Sequence, residues 1–323
     1  MKKLLVLAAI TAVIGVHAQD FPGNKPITIV VPFAAGGPTD HVARDFAEAL
    51  RKPLGGASIV IDNIGGGGST IGIAKAAHAK NDGYTLLLTH VSMATTPVLY
   101  QKLTYNYADF EYLGMINDVP MTLIGKPQLA ATNFRELRDW ITHNPGKANL
   151  GNAGIGSASH LCGLLFQNEL KTEMTTVPYK GTAPAIADLI GGQIDLLCDQ
   201  TTNTTSQIEA KKVKPYAVTT LKRLTPSVLK DIPTLDESGL KNFQVTIWHG
   251  LYAPKGTPEP ILKTLNTALK AALKDPEFLK REEALGAVVV NDKRVEPAEH
   301  KKFVQAEVER FRPIVKAAGV YAD

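Results

Sequence analysis

Ile27-Thr28-Ile29-Val30-Val31-Pro32-Phe33-Ala34-Ala35-Gly36-Gly37-Pro38-Thr39-Asp40 and Leu150-Gly151-Asn152-Ala153-Gly154-Ile155-Gly156-Ser157-Ala158-Ser159-His160 are built alike. Each starts as an apolar strand, breaks at glycines and runs into a helical pattern. Gly36 and Gly37 permit positive φ and let another molecule approach the main chain. Pro38 presets φ for a first helical turn, and Thr39 or Asp40 can cap it. Small residues ahead of a helix leave its first N–H groups uncovered. Those groups carry partial positive charge, so each turn suits an anionic oxygen. Two such turns facing each other across a cleft would grip a small carboxylate without any arginine.

The same alternation runs along the chain. Ile27–Val31, Ser58–Ile61, Thr85–Leu88, Met121–Ile124, Asn149–Leu150, Thr175–Val177, Leu196–Cys198, Tyr216–Thr219 and Val288–Val290 read as short buried strands. Thr39–Leu50 places Val42, Phe46, Ala49 and Leu50 on one helical face. Ser159–Asn168, Ala183–Ile190, Pro258–Leu273 and Pro297–Ala318 are the other helices that stand out. Strand–helix alternation predicts an α/β fold with mostly parallel sheets flanked by helices. The two glycine turns suggest two similar halves, each with its ligand edge at the carboxyl ends of strands. Crossings between them fall near Asn117–Pro120 and Leu240–Val245. One lobe is then 24–119 plus 245–323, and the other is 120–244.

Met1-Lys2-Lys3, the apolar run Leu4 to Val16 and the small-x-small site Val16-His17-Ala18 predict a signal peptide over 1–18. The run is shorter than the roughly 20 residues of a membrane span. The remaining length suits two domains of ordinary size. A formal charge of +4, spread along the chain, lacks the basic stripe of a nucleic-acid binder. Cys162 and Cys198 are the two cysteines. In an oxidising compartment they either bridge or remain two buried thiols.

Enzyme signatures are missing. Gly65–Thr70 lacks the lysine of a P-loop, and Gly36-Gly37 does not match GxGxxG. Ser157 is not in a GxSxG elbow, and there is no HExxH motif or Cys/His cluster for zinc. No metal and no cofactor is expected.

The chain resembles the substrate-binding proteins of tripartite tricarboxylate transporters, the Bug family. The resemblance rests on Pro26–Phe33, Ala35–Asp40 with Arg44, Asn81–Leu86, Gly154–Ser157 with Ser159-His160-Leu161, and Val177–Gly181. It continues through Ala185, Asp188–Asp195, Pro233–Gly239, Trp248, Gly250-Leu251 and Ala253-Pro254, covering nearly the whole mature chain. Ile64-Gly65-Gly66-Gly67-Gly68-Ser69-Thr70 departs from the Pro-Gly-Ala-Gly-Gly pattern common in that family. The resemblance implies a periplasmic, two-lobed binding-protein fold of the type II flytrap kind. It implies a small carboxylate held between the two turns, partly through ordered waters. It also implies delivery to membrane permease subunits. A monomer is expected.

The candidate ligand-binding residues follow from position. Phe33, Ala35, Gly36 and Gly37 form the first turn, and Ala153, Gly154, Gly156, Ser157 and Ser159 form the second. His160 is either a packing residue or a ligand contact. Ser69 and Thr70 follow the second strand, and His90, Ser92 and Thr95 follow the third. Tyr179 can wall the cleft. Asp199 ends a strand, where it can meet a ligand amino or hydroxyl group or hold a turn. The rival functions are a sensory module that passes its ligand to a membrane receptor, and an enzyme acting on a small acid.

Overall fold

The computed structural model describes residues 21–318 and Ala322. The stretch 1–18, read as a signal peptide, lies outside the described residues. The first elements are β1 (Ile27–Val31), α1 (Pro38–Arg51), β2 (Ile59–Asn63), α2 (Thr70–Ala77), β3 (Thr85–His90) and α3 (Ser92–Leu99). Next come β4 (Phe110–Gly125), α4 (Phe134–His143), β5 (Asn149–Asn152), α5 (Ala158–Leu170), β6 (Thr175–Pro178) and α6 (Thr182–Ile190). The chain ends with β7 (Leu196–Gln200), α7 (Thr201–Glu209), β8 (Lys214–Val218), β9 (Thr246–Pro254), α8 (Glu259–Ala272), α9 (Pro276–Ala284), β10 (Val288–Val289) and α10 (Pro297–Ala318).

β1 forms because β-branched residues suit a pleated strand buried on both faces. Ile27, Ile29, Val30 and Val31 are all fully buried. α1 lays Val42, Phe46 and Leu50 against this sheet, and Phe46 meets Phe278 of α9 edge-on at 6.0 Å. Burying side chains of this size contributes about 1.5–3 kcal/mol each.

The strands follow the order β2-β1-β3-β9-β4-β7-β5-β6, with β10 and β8 also on β4. β4 is 16 residues long and serves both halves. From Phe110 to Pro120 it pairs with β9, and from Met121 to Gly125 it pairs with β7 and β8. Its partners therefore change between Pro120 and Met121. Thr219 ties the strands at this point. Its Oγ1 accepts from Met121 N at 3.0 Å and donates to Val245 O at 2.6 Å.

The α/β, two-lobed class agrees with the sequence expectation. The parallel character is narrower than expected. β1 is parallel to β2 and β3, and β5 is parallel to β6 and β7. All pairings of β4 and β9 are antiparallel, so the sheets are mixed. The difference comes from these two long strands. The sequence marks only Met121–Ile124 of β4 and none of β9.

Candidate functional site

Four strands end at one place, and a helix begins beside each end. β1 leads to α1, β5 to α5, β6 to α6 and β7 to α7. Pro38, Thr39, Ser157, Ala158, Thr182 and Gln200, at those four helix starts, line one cavity of about 10 Å³. That is close to the space a single water needs. Phe33, His90, Ala153, Ser159 and Asp199 complete the lining.

The loops on either side touch. Ala34 N donates to Lys180 O at 3.2 Å, and Thr95 Oγ1 donates to Gly156 O at 2.5 Å. Tyr100 OH lies within hydrogen-bond reach of Gly67 O and Ile155 O. Ala34, Thr95 and Tyr100 follow strands of the β1–β3 sheet, whereas Lys180, Gly156 and Ile155 belong to the β5–β6 side. The arrangement is a closed cleft.

The second glycine turn is held by its own side chains. Ser157 Oγ accepts from His160 N at 3.2 Å, which caps α5. Ser159 Oγ accepts from Ala153 N at 2.9 Å and lies 3.2 Å from Ser157 Oγ. One hydroxyl proton suffices for the Ser157–Ser159 bond. The other is free for an acceptor in the cavity. Gly154 N donates to Asn152 Oδ1 at 2.8 Å. In the first turn, Gly36 has φ +75° and its N–H donates to Asp40 Oδ2 at 2.8 Å. Asp40 is structural, as its place in the turn suggests. Burial pushes its carboxyl up, but Arg44 and the Gly36 N–H outweigh that and leave it below the usual range. The N–H groups of Gly36, Ala153 and Gly154 are thus engaged within the turns. The donors left for a ligand are serine hydroxyls and first-turn helix amides, which have no intrahelical partner.

Phe33 stacks on His90 with ring centroids 4.6 Å apart. Ser92 N donates to His90 Nδ1 at 3.1 Å, so the neutral ring carries its proton on Nε2. Burial pushes this imidazole down to about 3, and it is neutral at physiological pH. Asp199 is the one acidic group in the lining. Asn203 Nδ2 donates to its Oδ2 at 2.6 Å. Burial nevertheless pushes its pKa up to about 6. The cavity thus joins four positive helix ends to one carboxylate that is ionised at neutral pH.

Other candidates fall elsewhere. Ala35 and Gly36 are exposed, whereas Gly37 is buried beside α6, where an added Cβ would lie 3.9 Å from Ala183 N. Ser92 Oγ pairs with Thr89 Oγ1 at 3.0 Å, and Thr95 bridges the two sides. Tyr179 is half-buried, and its OH donates to Asp188 Oδ2 at 2.7 Å. His160 Nδ1 accepts from Gly156 N at 3.4 Å, and burial lowers its pKa to about 4. Ser69 is buried with its Oγ unpartnered, and Thr70 opens α2; neither lines the cavity. Cys162 of α5 and Cys198 of β7 are joined as a disulfide, with Cα atoms 6.1 Å apart. The bridge fastens the helix that carries the serine turn to the strand that ends in Asp199.

Sequence reading missed Gln200 and the start of α7. Gln200 is 1% exposed and lines the cavity, and its Oε1 has no partner; the hydroxyls of Thr201 and Thr202 beside it are also buried and unpartnered. The available signal was position: Gln200 directly follows Asp199 at a strand end.

Comparison with known proteins agrees with this geometry. The chain is 48% identical over 304 residues to a UPF0065 protein in the TAR-I ttuE-ttuC' intergenic region of Agrobacterium vitis, covering 94% of this chain and 87% of that one. The structure of periplasmic binding protein BugD matches with a TM-score of 0.89 and 48% identity, over 94% of this chain and all of that one. MatC from Rhodopseudomonas palustris, solved with bound malate, matches with a TM-score of 0.85 and 37% identity, over 91% of this chain and all of that one. The family model for the tripartite tricarboxylate transporter family receptor matches residues 42–320. With that match across most of its length, the chain belongs to the tripartite tricarboxylate transporter receptor family of solute-binding proteins.

Proposed function

We propose that this protein captures a small carboxylate outside the cytoplasmic membrane and delivers it to the permease subunits of a tripartite tricarboxylate-type transporter. The observation that carries this reading is the convergence of four helix starts on one closed cavity whose lining holds a single acidic group. The ligand's anionic end takes the serine turn and the helix amides. Its other polar group, a hydroxyl or an amine, faces Asp199, with the Gln200 amide beside it. The glycine turns, Phe33 and His90 form the wall. The malate held by MatC, a hydroxy acid, is consistent with this pairing. The leader-like start supports export to the periplasm, and the change of partners along β4 supports lobes that divide near residue 120. Ligand favours the closed form and shifts that population. No turnover is expected.

The test is thermal unfolding of the mature protein against mono-, di- and tricarboxylates, their hydroxy and amino derivatives, and matched amides. A ligand present at 100 times its Kd stabilises by about 2.7 kcal/mol. Hydroxy or amino carboxylates should raise Tm most. A response confined to uncharged amides would discard the carboxylate reading. Ser157→Ala should weaken the best ligand by about 1–3 kcal/mol in calorimetry if the hydroxyl meets a charged oxygen. Unchanged affinity would remove that hydroxyl from the site.

A further inference from the structure

A row of buried side chains leads away from the cleft. His90 on β3 stands opposite His249 on β9, and His249 stands opposite Asn117 on β4. The two imidazoles are nearly perpendicular, with centroids 5.7 Å apart. His249 Nδ1 and Asn117 Oδ1 are 2.8 Å apart, and Asn117 Nδ2 donates to Glu282 Oε2 at 2.5 Å. Asn117, His249 and Glu282 are each 0% exposed. Asn117 lies three residues before the point where β4 changes partners.

The bonds fix the protons. Asn117 donates through its NH₂ to the carboxylate, so its oxygen faces His249 and accepts from Nδ1–H. His249 Nε2 is then a bare acceptor. It is one of two unpartnered buried atoms in the row; the other is Glu282 Oε1. Such atoms are costly, and a row with two of them can rearrange.

We propose that Glu282 is a positioning residue for the ligand cleft: through Asn117 it sets which nitrogen of His249 carries the proton, and His249 backs His90 at the cavity wall. The proton balance is simple. One proton from solvent adds to Glu282, whose O–H then donates to Asn117 Oδ1 after the amide turns over. Asn117 NH₂ now donates to His249 Nδ1. The single proton of His249 leaves Nδ1 for solvent, and Nε2 takes one up, so the ring remains neutral. Its N–H then sits on Nε2, the nitrogen that has no partner in the row.

The surroundings suit a titration near neutrality. Burial pushes Glu282 up to about 7, Asn117 opposes this, and Asp45 of α1 adds to it. Asp45 is itself held by Arg281 at 2.9 Å. From β4, Asp118 is held by Arg294 at 2.8 Å. β10 brings only Val288 and Val289, and β9 brings His249. No cation is recorded in contact with the Glu282 carboxylate among the described residues.

The test is long-range ¹H–¹⁵N imidazole spectroscopy of the ligand-free mature protein from pH 5.5 to 8.5. His249 should be an Nδ1–H tautomer at high pH and convert to Nε2–H as pH falls through neutrality, while His90 stays Nε2–H. Glu282→Gln, nearly isosteric, should leave His249 in one tautomer at every pH. A His249 signal that does not change in the wild type, or the same transition in Glu282→Gln, overturns the proposal. The wild-type titration decides even if the variant folds poorly.

The link to the cleft rests on the function proposed above and is read separately with L-malate, or with the best carboxylate of the panel. Wild type should bind about fivefold tighter at pH 6 than at pH 8 relative to Glu282→Gln, because neutral Glu282 gives His249 its Nε2–H tautomer and so replaces a bare lone pair behind the cleft wall by the positive end of an N–H dipole. Equal pH profiles alongside a tautomer switch would overturn the positioning role and leave the carboxylate reading intact. Failure of every carboxylate to bind would overturn that reading and leave the tautomer result standing.

Discussion

Gly65→Ala should weaken ligand binding about 100-fold while leaving the unliganded fold near its wild-type stability. Gly65 follows β2, and a Cβ there would overlap the carbonyl oxygen of Lys180 on the opposite side of the cleft; Ala34 N would be 3.1 Å away. Its φ is not in the left-handed region, so alanine carries no backbone strain in the open form. The overlap with Lys180 O exists only when the two sides meet; the tight approach to Ala34 N lies within one side. Gly181 presents the reciprocal case. An added Cβ would sit 2.8 Å from Ala34 N and 2.9 Å from Ala34 Cβ, again across the cleft. Backbone atoms on both sides cannot swing away as a flexible side chain can.

Overpacking of this kind costs about 1–3 kcal/mol or more. Here the cost falls on the closed state alone. Apparent affinity scales with the fraction of protein able to adopt the binding-competent form, so a 3 kcal/mol penalty weakens binding about 100-fold. Calorimetry with the best ligand of the panel measures this directly. Small-angle scattering should show wild type compacting with ligand and both variants failing to do so. Wild-type affinity in Gly65→Ala and Gly181→Ala together would mean that binding does not require this closure.

The sequence is informative where local chemistry and tertiary role coincide. The Ile27–Val31 strand and the α1 stripe of Val42, Phe46 and Leu50 read correctly because one burial pattern determines both. The α5 helix read correctly because its Ser159–Asn168 pattern is local; Ser157 caps it through His160 N and lines the cavity. α7 did not. Thr201-Thr202-Asn203-Thr204-Thr205 has no apolar stripe, yet all five residues are buried. Thr205 Oγ1 donates to Thr201 O at 2.7 Å and Thr204 Oγ1 to Gln200 O at 3.3 Å, so these two hydroxyls bond back to their own helix, whereas those of Thr201 and Thr202 have no partner. β4 was hidden for another reason. Gly114, Asn117, Asp118 and Pro120 interrupt any strand pattern, and their places are set by partners far along the chain: His300 for Gly114 N, Glu282 for Asn117 and Arg294 for Asp118. Gln200 shares the blindness of α7, because the helix start that gives it meaning could not be seen.

Asp199→Asn should make the free protein more stable and the ligand complex weaker. Burial raises the Asp199 carboxyl from 3.8 to about 6, so the folded state holds its proton more tightly than the unfolded chain. A raised acid contributes stability that is fully present below its unfolded pKa and is lost as pH rises through the folded one. Wild type therefore loses roughly 2.4 kcal/mol relative to Asp199→Asn between pH 4 and pH 7. Denaturant unfolding at the two pH values measures the difference. Asparagine retains an oxygen to accept from Asn203, so the fold survives. The ligand reverses the preference. An ammonium or hydroxyl group on the bound acid would donate to the ionised carboxylate, and hydrogen bonds to charged groups contribute about 1.5–3 kcal/mol. Asparagine should forfeit that, with affinity falling about tenfold to more than a hundredfold. Wild-type binding should also weaken as pH drops below about 6, where Asp199 takes up its proton. The opposite result is equally clear in meaning. If Asp199→Asn binds the acid more tightly, the carboxylate was repelling the ligand, and the ligand offers it no donor. The cavity then selects plain carboxylates, and Asp199 serves the turn through Asn203 alone.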